Sequence, residues 1–108
     1  MNSIVQIIEP IGIFDGTKAA DFQYQIDQSV ESGVHTILVD FKEVTFMDSS
    51  GLGALVKALK TLQAADVSLF ICSINEQIKI LFELTSMDKY FAILDSREEF
   101  TKQLNKSA

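Results

Sequence analysis

Apolar residues along the chain change between two kinds of spacing, and each change marks a boundary between a strand and a helix. Continuous or alternating apolar runs predict five strands, at residues 4–9, 11–14, 35–41, 66–73 and 91–94. Apolar residues spaced three and four apart predict four helices, within residues 17–33, 49–63, 75–86 and 95–107. The resulting order, β-β-α-β-α-β-α-β-α, predicts an α/β fold with a mixed, mostly parallel sheet of four to five strands and about four helices.

Helix ends and one strand carry further signals. Gly33 is suited to end the first helix. Asn75 is a candidate N-cap of the third helix, and Ser96 with Glu99 forms a capping box at the start of the fourth. The run 35–41 is almost continuously apolar, which is typical of a strand covered on both faces. We therefore expect this strand to lie centrally in the sheet.

Residues 45–55, with the sequence TFMDSSGLGAL, join the pattern of a strand to the pattern of a helix. Asp48, Ser49 and Ser50 can each cap the free N–H groups of a first helical turn, although capping requires only one of them. The apolar face of this helix consists of Leu52, Leu55, Val56, Leu59 and Leu62. The serine pair is therefore predicted at the N-terminus of a helix.

Two glycines, Gly51 and Gly53, stand in the first turn of the same helix. Each weakens a helix by about 1 kcal/mol relative to alanine, a loss that capping does not require. Glycine is needed where another chain must approach the backbone closely. We therefore expect that Gly51 is kept small for a partner and that this corner is a docking surface. Alanine at position 51 is expected to be neutral or to stabilise by up to about 1 kcal/mol if the position is ordinary helix, and to destabilise if Gly51 needs a positive φ.

The serine pair does not match the sequence patterns of a serine hydrolase or a nucleotide site. A hydrolase elbow has Gly-x-Ser-x-Gly, but the residue two positions before each serine is not glycine. His35 opens the preceding strand and is expected at the opposite end of the sheet from the serines. Val56 replaces the third glycine of Gly-x-Gly-x-x-Gly, and no Gly-x-x-x-x-Gly-Lys-Ser/Thr occurs. We predict no catalytic residues and no cofactor.

Composition limits the partners and the compartment. The 108 residues are 47% hydrophobic, which suffices for one core, so residues 1–108 are expected to form a single domain. The formal net charge of -6 disfavours nucleic acid and anionic membranes as partners. Cys72 is the single cysteine, so we expect neither an internal disulfide nor a bound metal. No signal peptide or membrane span is evident, and the protein is expected to be cytoplasmic.

Two motifs resemble those of the anti-sigma factor antagonists of the STAS domain superfamily. The run ILVDFKEVTFMDSSGLGAL, residues 37–55, is similar to the family's apolar strand ending in Asp and its apolar-Asp-Ser-Ser/Thr-Gly-Leu motif. The earlier run GIFDGTKA places Gly12, Asp15 and Ala19 at the matching positions of the family's Gly-x-apolar-Asp-x-x-x-Ala motif. The resemblance extends over nearly the whole chain, through residues 78–94.

This resemblance implies a partner-switching regulator that is not an enzyme. Such a protein binds an anti-sigma factor with serine kinase activity, which releases the target sigma factor. The kinase then phosphorylates the hydroxyl residue directly before the glycine, here Ser50 with Ser49 as the alternative, and a serine phosphatase restores it. Phosphorylation at Ser50 is expected to abolish binding, and we expect a monomer. The implied partner-binding residues are Asp15, Asp48, Ser49, Ser50, Gly51 and Leu52.

Two other functions are left open by the residues alone. In a scaffold or ligand-sensing STAS domain, the serines would only cap the helix and no kinase would be involved. An unrecognised small enzyme would require a titratable pair in a pocket, whereas the acids are scattered along the chain. Asp40 is expected to position its loop or to complete the docking surface. Arg97, Glu98 and Glu99 are expected to form a solvated first helical turn.

Overall fold

The computed structural model of the chain describes the backbone of residues 4–107 and the side chains of residues 4–105. This part contains the strands β1 (Val5–Ile8), β2 (Gly12–Phe14), β3 (Thr36–Asp40), β4 (Val44–Met47), β5 (Ser68–Cys72) and β6 (Ala92–Leu94). Its helices are α1 (Ala19–Glu31), α2 (Ser49–Ala64), α3 (Glu76–Leu84) and α4 (Arg97–Ser107), and two short 3-10 turns span Gly16–Lys18 and Met87–Lys89. The predicted α/β class and its four helices are confirmed. None of the helices within residues 4–107 combines the length and apolar character needed to cross a membrane.

The main sheet has four strands in the order β1-β3-β5-β6, and each neighbouring pair is parallel. β3 lies inside the sheet and all of its residues are buried, which confirms the prediction of a central strand at 35–41. Parallel neighbours need crossover connections, and α1, α2 and α3 supply them. The C-terminal ends of all four strands therefore meet at one edge of the sheet.

The strands β2 and β4 form a separate parallel pair, which we call the ribbon, and β4 was not among the predicted strands. The register shifts between Gly12 and Ile13, so that Thr45 of β4 has no partner across the ribbon. This irregularity is a β-bulge. Along β4 the residues are buried, exposed, exposed and buried, so the strand lacks the period of two by which a sequence indicates a strand.

The main sheet separates two apolar clusters. The larger one lies under α1, α2 and α3, and its members include Phe14, Phe22, Ile26, Ile37, Val39, Leu52, Leu55, Leu62, Ile71, Ile78 and Phe82. The smaller one lies under α4 and contains Leu38, Cys72 and Phe100. Because consecutive residues of a strand point to opposite faces, Asp40 lies on the same face of β3 as Leu38. The helices α2 and α4 therefore cover opposite faces of the sheet.

The predicted helix ends at Gly33 and Asn75 are confirmed, and the predicted capping box of α4 is confirmed for its bond to the Ser96 hydroxyl. The side chain of Asn75 accepts the N–H of Ile78 at 2.9 Å and caps α3. The hydroxyl of Ser96 accepts the N–H of Glu99 at 3.2 Å at the start of α4. Gly33 has a φ of +80° just beyond the end of α1, a conformation that glycine adopts without strain.

Candidate functional site

Asp48 caps α2 and leaves the two adjacent serines unengaged. Its backbone is extended, and its Oδ1 accepts the N–H of Gly51 at 2.9 Å. Asp48 thus provides the N-cap, a role for which Ser49 and Ser50 were also candidates. Ser49 and Ser50 are the first residues of α2, and both are exposed. Within residues 4–107, neither serine hydroxyl forms a hydrogen bond. Both hydroxyls are therefore accessible to another protein.

Ser50 lies beside the 3-10 turn Gly16–Lys18 that connects β2 to α1. A β-carbon placed on Gly16 would lie 3.5 Å from Cβ and 3.8 Å from Oγ of Ser50, which is ordinary van der Waals contact. Asp15 caps this turn, since its Oδ1 accepts the N–H of Thr17 at 3.0 Å and the hydroxyl of Thr17 at 2.5 Å. The hydrogen bonds from Thr17, the hydroxyl first, lower the pKa of Asp15. The carboxylate of Asp15 is therefore ionised, and Asp15 directly precedes Gly16, the residue that lies beside Ser50.

Gly51 is buried against β2, and this internal packing explains its small size. A β-carbon at this position would overlap the carbonyl oxygen of Phe14 and would lie 2.9 Å from its carbonyl carbon and its ring Cδ2. The backbone of Gly51 is helical and does not need a positive φ. The expected reason for this glycine, approach by a partner, is wrong, because the protein's own strand fills the space. The expectation that alanine would be tolerated here is wrong for the same reason.

The two residues that follow Gly51 differ sharply in exposure. Leu52 is buried in the larger apolar cluster, so its side chain anchors α2 and does not form part of the surface. Gly53 is exposed, and no described atom lies within 4 Å of the place where its β-carbon would be. Close approach to a bare helix backbone is therefore possible at Gly53. The polar surface at this corner includes the exposed side chains of Thr17, Ser49 and Ser50 and the half-buried side chains of Asp15 and Asp48.

Gln77 holds the end of β4 in place, a role that the sequence did not indicate. Its Oε1 accepts the N–H of Met47 at 2.9 Å, and its Nε2 donates to the carbonyl of Met47 at 2.7 Å. The side-chain amide of Gln77 thus forms the two backbone hydrogen bonds that a neighbouring strand would otherwise form with Met47. The Nδ2 of Asn75 also donates to the carbonyl of Thr45 at 3.2 Å. The start of α3 thereby fixes the backbone that leads into the cap of α2.

Asp40 belongs to a different part of the molecule. Its side chain is 1% exposed, and its Oδ2 accepts the Nε of Arg97 at 3.2 Å and the Nη2 at 3.0 Å. Its Oδ1 accepts the N–H of Lys42 at 3.0 Å, so the expected role in positioning the loop is confirmed. Because Asp40 lies under α4, it does not contribute to the surface around Ser50. Arg97 also pairs with Glu9 at 3.0 Å, and it is therefore not the solvated residue that the sequence suggested.

The corner around Ser50 presents hydroxyls and carboxylates, and neither His35 nor Lys18 is available to the serine hydroxyls. His35 precedes β3, and its backbone N–H bonds to the carbonyl of Ile4 at 2.9 Å, which places it at the N-terminal end of the main sheet. The Nζ of Lys18 donates to the carbonyls of Ile11 and Ile13, at 3.1 and 3.0 Å. Within residues 4–107, no group of three or more His, Cys, Asp and Glu side chains is arranged to hold a metal ion. Neither serine hydroxyl donates a hydrogen bond to a histidine or a carboxylate among the described residues, as an activated nucleophile would.

Comparison with known proteins identifies a family model and relatives that match the chain. Residues 2–100 match the family model of the STAS domain. The chain is 34% identical over 68 residues to a protein of Staphylococcus epidermidis named anti-sigma-B factor antagonist. That alignment covers 63% of this chain and 63% of the relative, so the chain spans less than two thirds of the length of the curated protein that it matches.

Solved structures share the fold at lower sequence identity. A putative anti-sigma factor antagonist from Thermotoga maritima superposes with a TM-score of 0.85 at 24% identity, covering 94% of this chain and 87% of that chain. The anti-sigma factor antagonist SpoIIAA in its unphosphorylated form superposes with a TM-score of 0.73 at 20% identity, covering 100% of this chain and 94% of that chain. SpoIIAA from Bacillus in its phosphorylated form gives 0.70 at 19% identity, covering 94% and 93%. The fold, the order of its elements and the match over residues 2–100 together show that the chain belongs to the STAS domain family.

Proposed function

We propose that the protein is a phosphorylation-controlled partner switch. The unphosphorylated form binds an anti-sigma factor that is also a serine kinase, and this binding releases the target sigma factor. Phosphorylation of Ser50 ends the binding, and a serine phosphatase restores it. The name of the Staphylococcus epidermidis relative, anti-sigma-B factor antagonist, supports this proposal. The observation that carries it is the exposed serine pair at the start of α2, which the cap by Asp48 leaves free.

Ser50 is the proposed acceptor because its position is fixed relative to β2. The next residue, Gly51, packs directly on the backbone of Phe14, so the first turn of α2 lies against that strand and cannot move closer to it. Gly16 faces Ser50 without a side chain, and this leaves room beside the hydroxyl. An exposed hydroxyl at a fixed place is well suited to enter the active site of a kinase.

A phosphate on Ser50 should affect the complex more than the fold. It would add about -1.5 to -2 charges at one point of the surface. The N-terminus of α2 favours such an anion by about 0.3 to 1 kcal/mol, whereas the carboxylates of Asp48 and Asp15 oppose it. These effects act in opposite directions in the free protein. Inside an interface the phosphate must lose its water, a penalty of several kcal/mol unless a cation meets it.

The proposal is tested by incubating the protein with Mg-ATP and each purified anti-sigma factor that the same genome encodes. Phosphate is expected on Ser50, with Ser50→Ala unmodified, and mass spectrometry of the peptides locates it. Phosphate on Ser49 alone would contradict the assignment of the acceptor. If none of the anti-sigma factors binds or modifies the wild-type protein, the partner switch is refuted and the scaffold or ligand-sensing function takes its place.

A fixed negative charge at position 50 should weaken partner binding without unfolding the protein. Ser50→Asp is expected to raise the Kd for the anti-sigma factor about 10- to 50-fold, equivalent to about 1.4 to 2.3 kcal/mol. An acid in the first turn of a helix is tolerated, so the melting temperature should stay close to that of the wild type. Isothermal titration calorimetry and a thermal melt measure the two effects.

Ser50→Asn is the matched control for this change, because asparagine has nearly the shape of aspartate and no charge. It is expected to bind within about threefold of the wild type, a difference of less than about 0.7 kcal/mol. Equal weakening by Asn and Asp would show that size, and not charge, controls docking. In that case phosphorylation could not act through its charge.

We also propose that the protein acts by binding as a monomer in the cytoplasm, with no chemistry of its own. The carboxylates of Asp15 and Asp48 accept backbone N–H groups and not the serine hydroxyls, which supports a role as a substrate of the kinase. The unpaired hydroxyls fit contact with a protein better than binding of a cofactor.

A further inference from the structure

α4 is held to the rest of the protein by few side chains. Its 11 residues, Arg97–Ser107, include two apolar ones, Phe100 and Leu104. Phe100 is buried, and its ring packs edge-on against that of Phe70 with the centroids 5.4 Å apart, whereas Leu104 is half-buried. On the opposite face of the sheet, α2 buries five of its residues. A segment with so few buried contacts opens more easily than the rest of a fold.

The face of the main sheet under α4 is apolar. Leu38 of β3 and Cys72 of β5 are fully buried there. The residues packed around them come from β1, β5 and β6 and are Val5, Ile7, Phe70 and Leu94. Because α1, α2 and α3 cover the other face, α4 is the element of the described chain that shields this one from water. Separation of α4 would therefore expose Leu38 and Cys72 and would leave the larger apolar cluster covered.

Arg97 joins the first turn of α4 to the ends of β1 and β3. Its Nη2 lies 3.0 Å from Oε1 of Glu9, which follows β1, and 3.0 Å from Oδ2 of Asp40, the last residue of β3. The side chain of Asp40 is 1% exposed, so this buried carboxylate would lose its cation if α4 moved away. Breaking such a buried pair is costly, whereas the more exposed pair with Glu9 contributes less. Arg97 therefore opposes the separation of α4.

The connection between β6 and α4 consists of two residues, Asp95 and Ser96. The hydrogen bonds at the start of α4 link Ser96 to Glu99 and Phe100, so they lie within the segment and do not attach it to the sheet. Rotation at Asp95 and Ser96 thus suffices to move α4 while β6 stays paired. An isolated helix of this length is marginal in water, so α4 should lose its helical hydrogen bonds once it separates.

We propose that α4 is a lid, which separates from the main sheet as a unit while the rest of the fold stays intact. The lid moves about Asp95 and Ser96, and the ion pairs of Arg97 hold it closed. The open form exposes an apolar face of the sheet that the closed form hides. The protein thus has two forms that present different surfaces. This inference goes beyond the proposed partner switch and does not depend on it.

Cys72 lies under the lid and can report on its position. It is the single cysteine of the chain, its thiol is free, and it is 0% exposed. Burial raises the pKa of the Cys72 thiol, so the closed form contains little of the reactive thiolate. A thiol reagent therefore modifies this residue only in molecules in which the lid, or the whole fold, is open. The two cases differ in how strongly urea speeds the reaction, because lid opening exposes less surface than unfolding.

The first test compares the rates at which iodoacetamide labels two thiols on opposite faces of the sheet, measured by mass spectrometry. The reference is Val39→Cys combined with Cys72→Ala, since Val39 is 0% exposed and lies in the larger apolar cluster. Each rate is compared with the free energy of unfolding of the same protein. Cys72 of the wild type is expected to react about tenfold faster or more, with a rate that low urea hardly changes. Ala58→Cys, on α2, serves as the reference if Val39→Cys fails to fold.

The second test asks whether Arg97 holds the lid closed. Arg97→Met is expected to raise the labelling rate of Cys72 about tenfold or more, because the open form no longer requires the buried pair to break. Lys102→Met is the matched control, since it removes a basic side chain from the same helix that is exposed and forms no ion pair with a described residue. It should label within about twofold of the wild type. Amide hydrogen exchange gives a reading without substitution, since α4 should exchange faster than β3.

Either test can overturn the inference. If Cys72 reacts no faster than the thiol on the other face and with the same dependence on urea, the whole protein must unfold to expose it, and α4 is not a lid. Exchange of α4 and β3 at the same rate would lead to the same conclusion. Equal labelling of Cys72 in Arg97→Met and Lys102→Met would show that Arg97 does not hold α4 closed. None of these measurements uses an anti-sigma factor, so their outcome leaves the proposed function untouched.

Discussion

Replacement of Gly51 by alanine is expected to lower the free energy of unfolding by about 2 to 3 kcal/mol. The new β-carbon would overlap the carbonyl oxygen of Phe14, which is a backbone atom of β2 and cannot rotate away. Overpacking typically costs about 1 to 3 kcal/mol and more in severe cases; a clash with a backbone atom should cost about 3 to 4 kcal/mol, of which the better helix propensity of alanine offsets about 1 kcal/mol. For a domain of this size the melting temperature should fall by about 10 to 20 °C. Thermal and urea unfolding followed by circular dichroism measure the change.

Gly53→Ala is the matched control, because it makes the same substitution two residues further along α2. Its β-carbon would meet no described atom within 4 Å, so it should be neutral or should stabilise by up to about 1 kcal/mol. The difference between the two variants isolates the contact with Phe14 from helix propensity. Equal stability of the two variants would show that α2 does not pack on β2 as closely as described.

The variant Arg97→Met, which lacks the charge of the arginine, is expected to be less stable than the wild type by about 2 to 3 kcal/mol. Asp40 is buried, and Arg97 holds its Oδ2 through both Nε and Nη2. Removing one partner of a buried pair costs about 3 to 5 kcal/mol, and the value here should be smaller because the Arg97 side chain is 39% exposed. Methionine retains much of the aliphatic volume. Urea unfolding at neutral pH gives the free energy.

Glu9→Gln is the control for this pair, because Glu9 is the other acid that Arg97 contacts. Both side chains in that contact are partly exposed, so its loss should cost less than about 1 kcal/mol. The double variant Asp40→Asn with Arg97→Met should recover part of the stability, since no buried charge is then left alone. A loss with Arg97→Met no greater than with Glu9→Gln would contradict a structural role for the buried pair.

The main elements could be predicted from sequence because their signals are local. The central strand β3 is a continuous apolar run, and α1 and α2 show apolar residues at helical spacing. The caps by Asn75 and Ser96 involve residues only three positions apart. Such features depend on neighbours in the chain, and the chain order displays them directly. The strand β4 was missed because its bulge breaks the alternation that identifies a strand.

The site was only partly predictable because its geometry depends on contacts between distant segments. Asp48 and the serines could be placed at a helix N-terminus, but the choice among three possible caps required the structure. The packing of Gly51 on Phe14 joins α2 to β2, and nothing in the local sequence distinguishes it from a glycine left open for a partner. Gln77 reaches Met47 across 30 positions, and Arg97 reaches Asp40 across 57. Polar side chains with such partners look like ordinary surface residues in a sequence.

The cap by Asp48 also has a consequence for the lifetime of the protein in the cell. Since Asp48 and not a serine bonds to the N–H of Gly51, the proposed addition of phosphate to Ser50 would leave this capping bond intact. Degradation in cells depends on the fraction of molecules that is unfolded, and this fraction follows the free energy of unfolding. The modified and unmodified forms should therefore be degraded at similar rates. The total amount of the regulator should therefore not depend on how it is divided between the two forms.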